Sequence, residues 1–75
     1  MLGRTRAELL RALDVPRNGQ ALAQALDVTP GAISQHVRAL RDAGLLSTHR
    51  DRRHVICRRT GLADQLIAAT TTDAG

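Results

Sequence analysis

The sequence is short and has too few aromatic and cysteine residues to form a large or specialised hydrophobic core. Its 75 residues include no Phe, Tyr or Trp, and only one Cys. The interior must therefore be aliphatic, and the 11 Leu and 12 Ala can supply it within one small domain. A ligand pocket of roughly 300 Å³ or more is hard to fit beside so small a core. An enzyme with its own buried active site is therefore not expected.

The single cysteine, Cys57, excludes an intramolecular disulfide and a zinc site built from several cysteines of one chain. It favours a reducing, cytoplasmic setting. The longest apolar runs are only a few residues, so we expect no membrane-spanning segment and no signal peptide.

Lysine is also missing, and every basic side chain is an arginine. The formal net charge is +4, and residues 50–59 contain five Arg and one Asp. The other six Arg are balanced by six acidic residues, so this one segment carries the whole excess. Arginine forks suit the recognition of phosphates and base edges, which favours a nucleic-acid partner.

Local signals predict four helices and a hairpin. A capping-box pattern of Thr5 with Glu8 opens the first helix, Asn18 caps the second, and Thr29 caps the third. Thr60 caps the last, and Gly44 ends the third as the residue after its C-cap. The predicted elements are helices over 5–13, 19–26, 30–43 and 62–69, and a hairpin with strands over 45–50 and 53–58. We expect one domain of residues 1–70 and a flexible tail of residues 71–75.

The second and third helices are separated by a very short break, so they must cross steeply. Ala23 is small enough for close contact between them, and Ile33 can pack beside it. Asp27 tolerates the left-handed backbone that such a turn often needs. This spacing predicts a helix-turn-helix.

Four segments follow one another along the chain: LGRTRAELLRAL, LAQALDVTPGAISQHVRAL, DAGLL and HRDRRHVICRRT. In these segments and their order, over about residues 2–67, the sequence resembles the ArsR-type winged helix-turn-helix repressors of bacteria. The resemblance implies a mainly α fold with a small β-hairpin, in the order α-α-α-β-β-α. It also implies a transcriptional repressor on double-stranded DNA, with the helix 30–43 in the major groove. The wing 49–54 would contact the DNA backbone or the minor groove.

The exposed face of the third helix carries side chains that suit this role. Gln pairs with adenine, Arg with guanine and Ser with either base edge, while small residues allow close approach. A helix N-terminus suits a phosphate. His36 lies on the flank of the helix, where a packing role and a DNA contact both stay open. The expected DNA-binding residues are Thr29, Gly31, Ala32, Ser34, Gln35, His36, Arg38, Arg50, Arg52 and Arg53.

The resemblance also implies which family features do not carry over. ArsR-type metal sensors carry a cysteine pair on the helix before the recognition helix, and residues 20–26 contain none. Other members use Asp and His on the C-terminal helix, where this chain has Asp64 but no His. We therefore expect no metal and no cofactor. Members also have a helix ahead of the position of Leu2, so we expect the DNA-binding domain of a longer regulator, homodimeric in full-length form and located on the nucleoid.

Two other functions stay open. A winged helix that assembles with proteins, without DNA binding, would show an apolar patch on the third helix, whereas that face is polar. A redox or metal sensor would use Cys57 with histidines of partner chains. Within one chain, His49, His54 and Cys57 are the candidate ligands. If Arg50 pairs with Arg53, the two histidines share one face of the hairpin and Cys57 points to the other, and two ligands do not make a zinc site. We therefore expect Cys57 to be a buried strand residue.

Overall fold

The computed structural model describes residues 3–74 of the chain, with side chains described for residues 3–69. Its elements are α1 (Arg4–Ala12), β1 (Arg17–Asn18), α2 (Gly19–Leu26), α3 (Pro30–Asp42), β2 (Leu46–Asp51), β3 (His54–Arg59) and α4 (Gly61–Ala74). The expected mainly α fold with a small hairpin is confirmed, and one short strand, β1, is added to it.

Side-chain caps begin three of the helices where the sequence predicts them. Asn18 Oδ1 accepts a hydrogen bond from the amide of Ala21 at 2.8 Å, which opens α2. Thr29 Oγ1 accepts one from the amide of Ala32 at 3.1 Å, which opens α3. Thr60 Oγ1 accepts an amide hydrogen bond from the first turn of α4 in the same way. Each cap satisfies a donor that the helix itself leaves without a partner.

The first helix begins differently from the prediction. Gly3, in an extended conformation, is its N-cap, with no side-chain cap, and the Gly3 oxygen accepts from the amide of Ala7 at 3.0 Å. Thr5 therefore lies inside the first turn, and the predicted capping box with Glu8 is wrong. Glu8 instead lies one turn after Arg4, whose Nε is 3.3 Å from Glu8 Oε1, a spacing at which helix side chains meet.

Two residues in left-handed backbone conformations end α2 and α3, as the sequence predicts. Asp27 has φ 56°, and the next amide, of Val28, returns to the oxygen of Ala23 at 3.1 Å. Gly44 has φ 78° and lets the amide of Leu45 return to the last turn of α3. Asp27 thus produces the tight turn that sets the angle between α2 and α3.

The sheet has the order β1-β3-β2 and is antiparallel. In the hairpin, Arg50 lies opposite Val55 and Asp51 opposite His54, so the expected pairing of Arg50 with Arg53 is wrong. The turn closes over Arg52 and Arg53, because Arg52 adopts a left-handed backbone with φ 59°. Strand β1, which the sequence did not predict, pairs Arg17 with Cys57.

The last helix also departs from the prediction. It begins at Gly61 and continues to Ala74, beyond the expected end at residue 69. Residues 70–73 contain neither Gly nor Pro, so nothing in that stretch breaks the helix. Gly75, the last residue of the expected tail, lies outside the described residues.

The core is aliphatic, as the composition requires. No polar or charged side chain of the described residues is buried, apart from the thiol of Cys57. The buried residues are Leu9, Leu10, Leu13, Leu22, Ala23, Ile33, Leu40, Leu45, Leu46, Cys57 and Ala63. They come from all four helices and from the hairpin, so burial of apolar area fixes the position of α3 relative to the strands.

Candidate nucleic-acid interface

Helix α3 lies with one side in the core and the other in solvent. Ile33 and Leu40 are buried on the inner side, and Val37 packs against the core between them. On the outer side, the predicted residues Ser34, Gln35 and Arg38 are exposed, as are Thr29 and Gly31, and Ala32 is half-buried. The helix therefore presents a polar ridge, which we define as Ser34, Gln35 and Arg38.

Two open hollows lie at this ridge. The first, of about 270 Å³, separates α3 from the hairpin, and the second, of about 340 Å³, lies on the surface of α3 itself, among the ridge side chains, Ala39 and Asp42. Ser34 and Arg38 border both hollows. The first is lined by Gly19, Ile33, Ser34, Val37, Arg38, Arg41, Val55 and Cys57. The ridge is thus an exposed polar helix face with the groove along one edge, and such a face can enter the major groove of DNA.

The start of α3 is open to a ligand. An added Cβ at Gly31 would meet no atom within 4 Å. The Thr29 side chain accepts from the amide of Ala32, so that amide is occupied by the cap. A phosphate at this end would therefore contact the hydroxyl hydrogen of Thr29 or the free amide of Gly31.

The hairpin tip carries the three predicted arginines. Arg50, Arg52 and Arg53 are exposed and make no ion pair or side-chain hydrogen bond with any described residue. Arg50 lies opposite Val55, which lines the groove beside α3, so Arg50 lies next to the hairpin wall of that groove.

His36 lies apart from the other predicted residues. It is half-buried, and its Nδ1 accepts a hydrogen bond from Arg6 Nε in α1 at 3.2 Å. The imidazole therefore contacts the scaffold on the side of α1. This contact supports the packing role that the sequence left open for His36.

Arg41 is a further candidate DNA-binding residue, which was not predicted from the sequence. It lies in the last turn of α3, is exposed, and lines the groove together with Arg38. The signal for it was its position three residues after Arg38, since residues three apart share a helix face.

The His and Cys residues of the hairpin do not form a cluster. His49 lies opposite Ile56 and His54 opposite Asp51. Cys57 is 2% exposed, as the expected buried strand residue, and burial raises the pKa of its thiol above the ordinary value. Within residues 3–74, no three His, Cys, Asp or Glu side chains lie together as metal ligands would.

The apolar patch that a protein-assembly role predicts on α3 is not present. The exposed large hydrophobic residues of the described chain are Val15, Val55, Leu62 and Leu66, and none of them belongs to α3. Of the helices within residues 3–74, none combines the length and the apolar character that crossing a bilayer demands.

Comparison with known proteins is consistent with this architecture. Residues 2–49 match the family model described as a helix-turn-helix domain. No curated protein sequence matches the chain at a significant level.

Several solved structures share the fold. The transcriptional regulator BldR from Sulfolobus solfataricus is 30% identical, with a TM-score of 0.86 over 91% of this chain and 52% of BldR. Mb0332 from Mycobacterium bovis, described as a homodimeric winged helix-turn-helix DNA-binding domain and a possible ArsR-family regulator, is 24% identical, with a TM-score of 0.88 over 96% of this chain and 68% of that fragment.

A Lactococcus lactis ZitR mutant solved in complex with DNA is 22% identical, with a TM-score of 0.86 over 96% of this chain and 52% of ZitR. The chain thus spans about half the length of BldR and of ZitR. The likeness confirms the winged helix-turn-helix fold that the sequence predicted.

Proposed function

The chain belongs to the family of helix-turn-helix domains, and from that premise we propose that it binds double-stranded DNA as part of a transcriptional regulator. Helix α3 enters the major groove, and the wing 49–54 contacts the backbone or the minor groove. One observation carries the proposal: Ser34 and Arg38 of the polar ridge border a groove whose hairpin wall includes Val55, and the unpaired Arg50 lies opposite Val55 in the hairpin.

Each part of this surface has a distinct role in the proposal. Arg50, Arg52 and Arg53 neutralise phosphates, which supplies affinity independent of sequence. Gln35 and Arg38 read base edges with paired hydrogen bonds, and Ser34 contacts either base edge. At the start of α3, Thr29 contacts a phosphate, and the small Gly31 and Ala32 let the backbone approach the bases.

We further propose that the regulator is of the ArsR type, acts as a repressor in the cytoplasm and is a homodimer in its full-length form. The order of the sequence motifs supports the subtype, as does the fold shared with Mb0332 of Mycobacterium bovis. A dimer would place two copies of α3 on successive turns of the major groove. In this proposal the protein catalyses no reaction.

The proposal is tested by selecting bound duplexes from a random pool at two salt concentrations. A preferred sequence should emerge, and its affinity should fall by about 0.9 log unit per log unit of salt for each phosphate neutralised. Gln35→Ala should relax the preference at one base pair, which costs about 1–3 kcal/mol. Gln65→Ala, on α4, is the matched control and should keep the selected sequence. Failure to enrich any sequence at either salt concentration would refute the proposal.

A further inference from the structure

The groove between α3 and the hairpin has walls of different chemistry. Arg38 and Arg41 border it from α3, and Val55 borders it from β3. Its other lining residues are Gly19, Ile33, Ser34, Val37 and Cys57. No carboxylate is among these lining residues, and the buried Cys57 thiol contributes no negative charge near neutral pH.

The positive charge of this groove is not neutralised by the protein. Arg38 and Arg41 are exposed and make no ion pair or side-chain hydrogen bond with any residue that the structure describes. Asp42, which follows Arg41, lines the second hollow, on the surface of α3, and does not line the groove. On the hairpin side, the unpaired Arg50 lies opposite Val55, next to the groove. The groove therefore attracts an anion.

Val55 adds an apolar wall to this cationic groove. Its side chain is 44% exposed, although its strand neighbours toward the hairpin tip are charged or polar. A small inorganic anion would gain nothing from an apolar wall. A DNA strand has both chemistries, because each anionic phosphate alternates with a deoxyribose whose carbon atoms can pack against valine.

We propose that this groove holds one phosphodiester strand of the duplex, with Arg41 as a positioning residue that binds a phosphate and Val55 in contact with a sugar. This inference rests on the proposed DNA binding and adds to it a residue and the path of one strand. Arg41 sits beyond the base-reading ridge, toward the C-terminal end of α3, so it contributes affinity and register without sequence preference.

A role in helix stability alone is the competing explanation for Arg41. A basic residue in the last turn stabilises the helix dipole. Arg11 has the same position in the last turn of α1, is exposed, and its side chain makes no ion pair or hydrogen bond with any described residue. Arg11→Gln is therefore a control matched to Arg41→Gln in charge, exposure and helix position, but away from the groove.

The first test measures binding to the selected duplex and to a random duplex by fluorescence anisotropy over a series of salt concentrations. Arg41→Gln should weaken binding to both duplexes by the same factor and reduce the salt slope by about 0.9. Arg11→Gln should bind as the unmodified protein does, while thermal unfolding shows the same small loss of stability in both variants. Equal binding by the two variants would overturn the role of Arg41.

A second pair of variants tests the wall of the groove. Val55 and Val15 are both exposed valines, at 44% and 50%, and Val15 lies outside the groove. Val55→Glu should weaken binding to both duplexes, because its carboxylate would face phosphates, and Val15→Glu should not. If the unmodified protein binds DNA, and Arg41→Gln and Val55→Glu bind it as tightly as their control variants, the proposed path of the strand is wrong and the proposed function is unaffected. If the unmodified protein binds no duplex, the proposed function and the path of the strand are both refuted.

Discussion

Arg59 donates a hydrogen bond from Nη1 to the backbone oxygen of Leu10, 3.2 Å away, and so links the end of β3 to α1. Its Nε lies 2.9 Å from Asp64 Oδ1 of α4, in an ion pair whose angle does not make a hydrogen bond. Arg52 and Arg53 of the same basic segment have no such partners. The segment therefore contains one arginine, Arg59, that binds the scaffold, and others whose side chains have no partner among the described residues.

Replacement of Arg59 by Gln should lower the free energy of unfolding by about 1–3 kcal/mol, because a partly buried charged contact is lost. Urea denaturation at neutral pH measures this change. Arg58→Gln is the control, since Arg58 is exposed and unpaired among the described residues, and it should change stability by less than about 0.5 kcal/mol. Equal stability of the two variants would show that the contacts of Arg59 do not stabilise the fold.

Arg52→Gly should raise stability and lower DNA affinity together. Arg52 holds a left-handed backbone that costs a residue with a side chain roughly 1–2 kcal/mol, and glycine relieves that strain. The same change removes a proposed phosphate contact. Arg53→Gly, at the neighbouring turn position without a positive φ, should lower both quantities. For both variants, thermal unfolding measures the stability and fluorescence anisotropy measures the DNA affinity. A loss of stability in Arg52→Gly equal to that in Arg53→Gly would contradict the turn geometry.

Gly31→Ala should also separate stability from binding. Space is open around Gly31 and around Gly61, and alanine in a helix gains up to about 0.5–1 kcal/mol over glycine. Both substitutions should therefore leave stability unchanged or higher. Only Gly31→Ala should weaken DNA binding, because its methyl group would stand between α3 and the bases. Equal DNA affinity of the two alanine variants would place the start of α3 away from the DNA.

Alkaline pH should destabilise the protein through Cys57. Burial raises the pKa of its thiol, so the folded state holds the proton where the unfolded state has lost it. This effect makes its full contribution to the free energy of unfolding below the ordinary pKa of a thiol. The contribution is lost as the pH rises above that value and through the higher pKa of the thiol in the folded state. The chain has no Lys or Tyr, so little else titrates between about pH 8.5 and 10.5. Urea denaturation across that range should show that the free energy of unfolding falls more steeply with pH in the unmodified protein than in Cys57→Ala. Equal slopes in the two proteins would contradict the burial of the thiol.

The features predicted correctly from the sequence depend on residues close together in the chain. Asn18 and Thr29 cap helices through amides three residues later, and Asp27 and Gly44 hold left-handed turns. Each of these signals is complete within about one helical turn.

The features that the sequence analysis missed depend on distant partners or on strain. Strand β1 exists because Arg17 pairs with Cys57, forty residues later in the chain. The hairpin register differs from the predicted one because Arg52 adopts a backbone conformation that arginine rarely takes. At the site, the orientation of His36 toward the scaffold depends on Arg6, thirty positions earlier. No local pattern contains these pairings.

The proposed DNA interface is tested most directly by mapping amide chemical shifts of the protein on titration with its selected duplex. We expect the largest changes on residues 30–42 and 49–55, which form α3 and the hairpin tip, while α1 and α4 change little. Changes centred on α1 or α4, with α3 unperturbed, would contradict this interface.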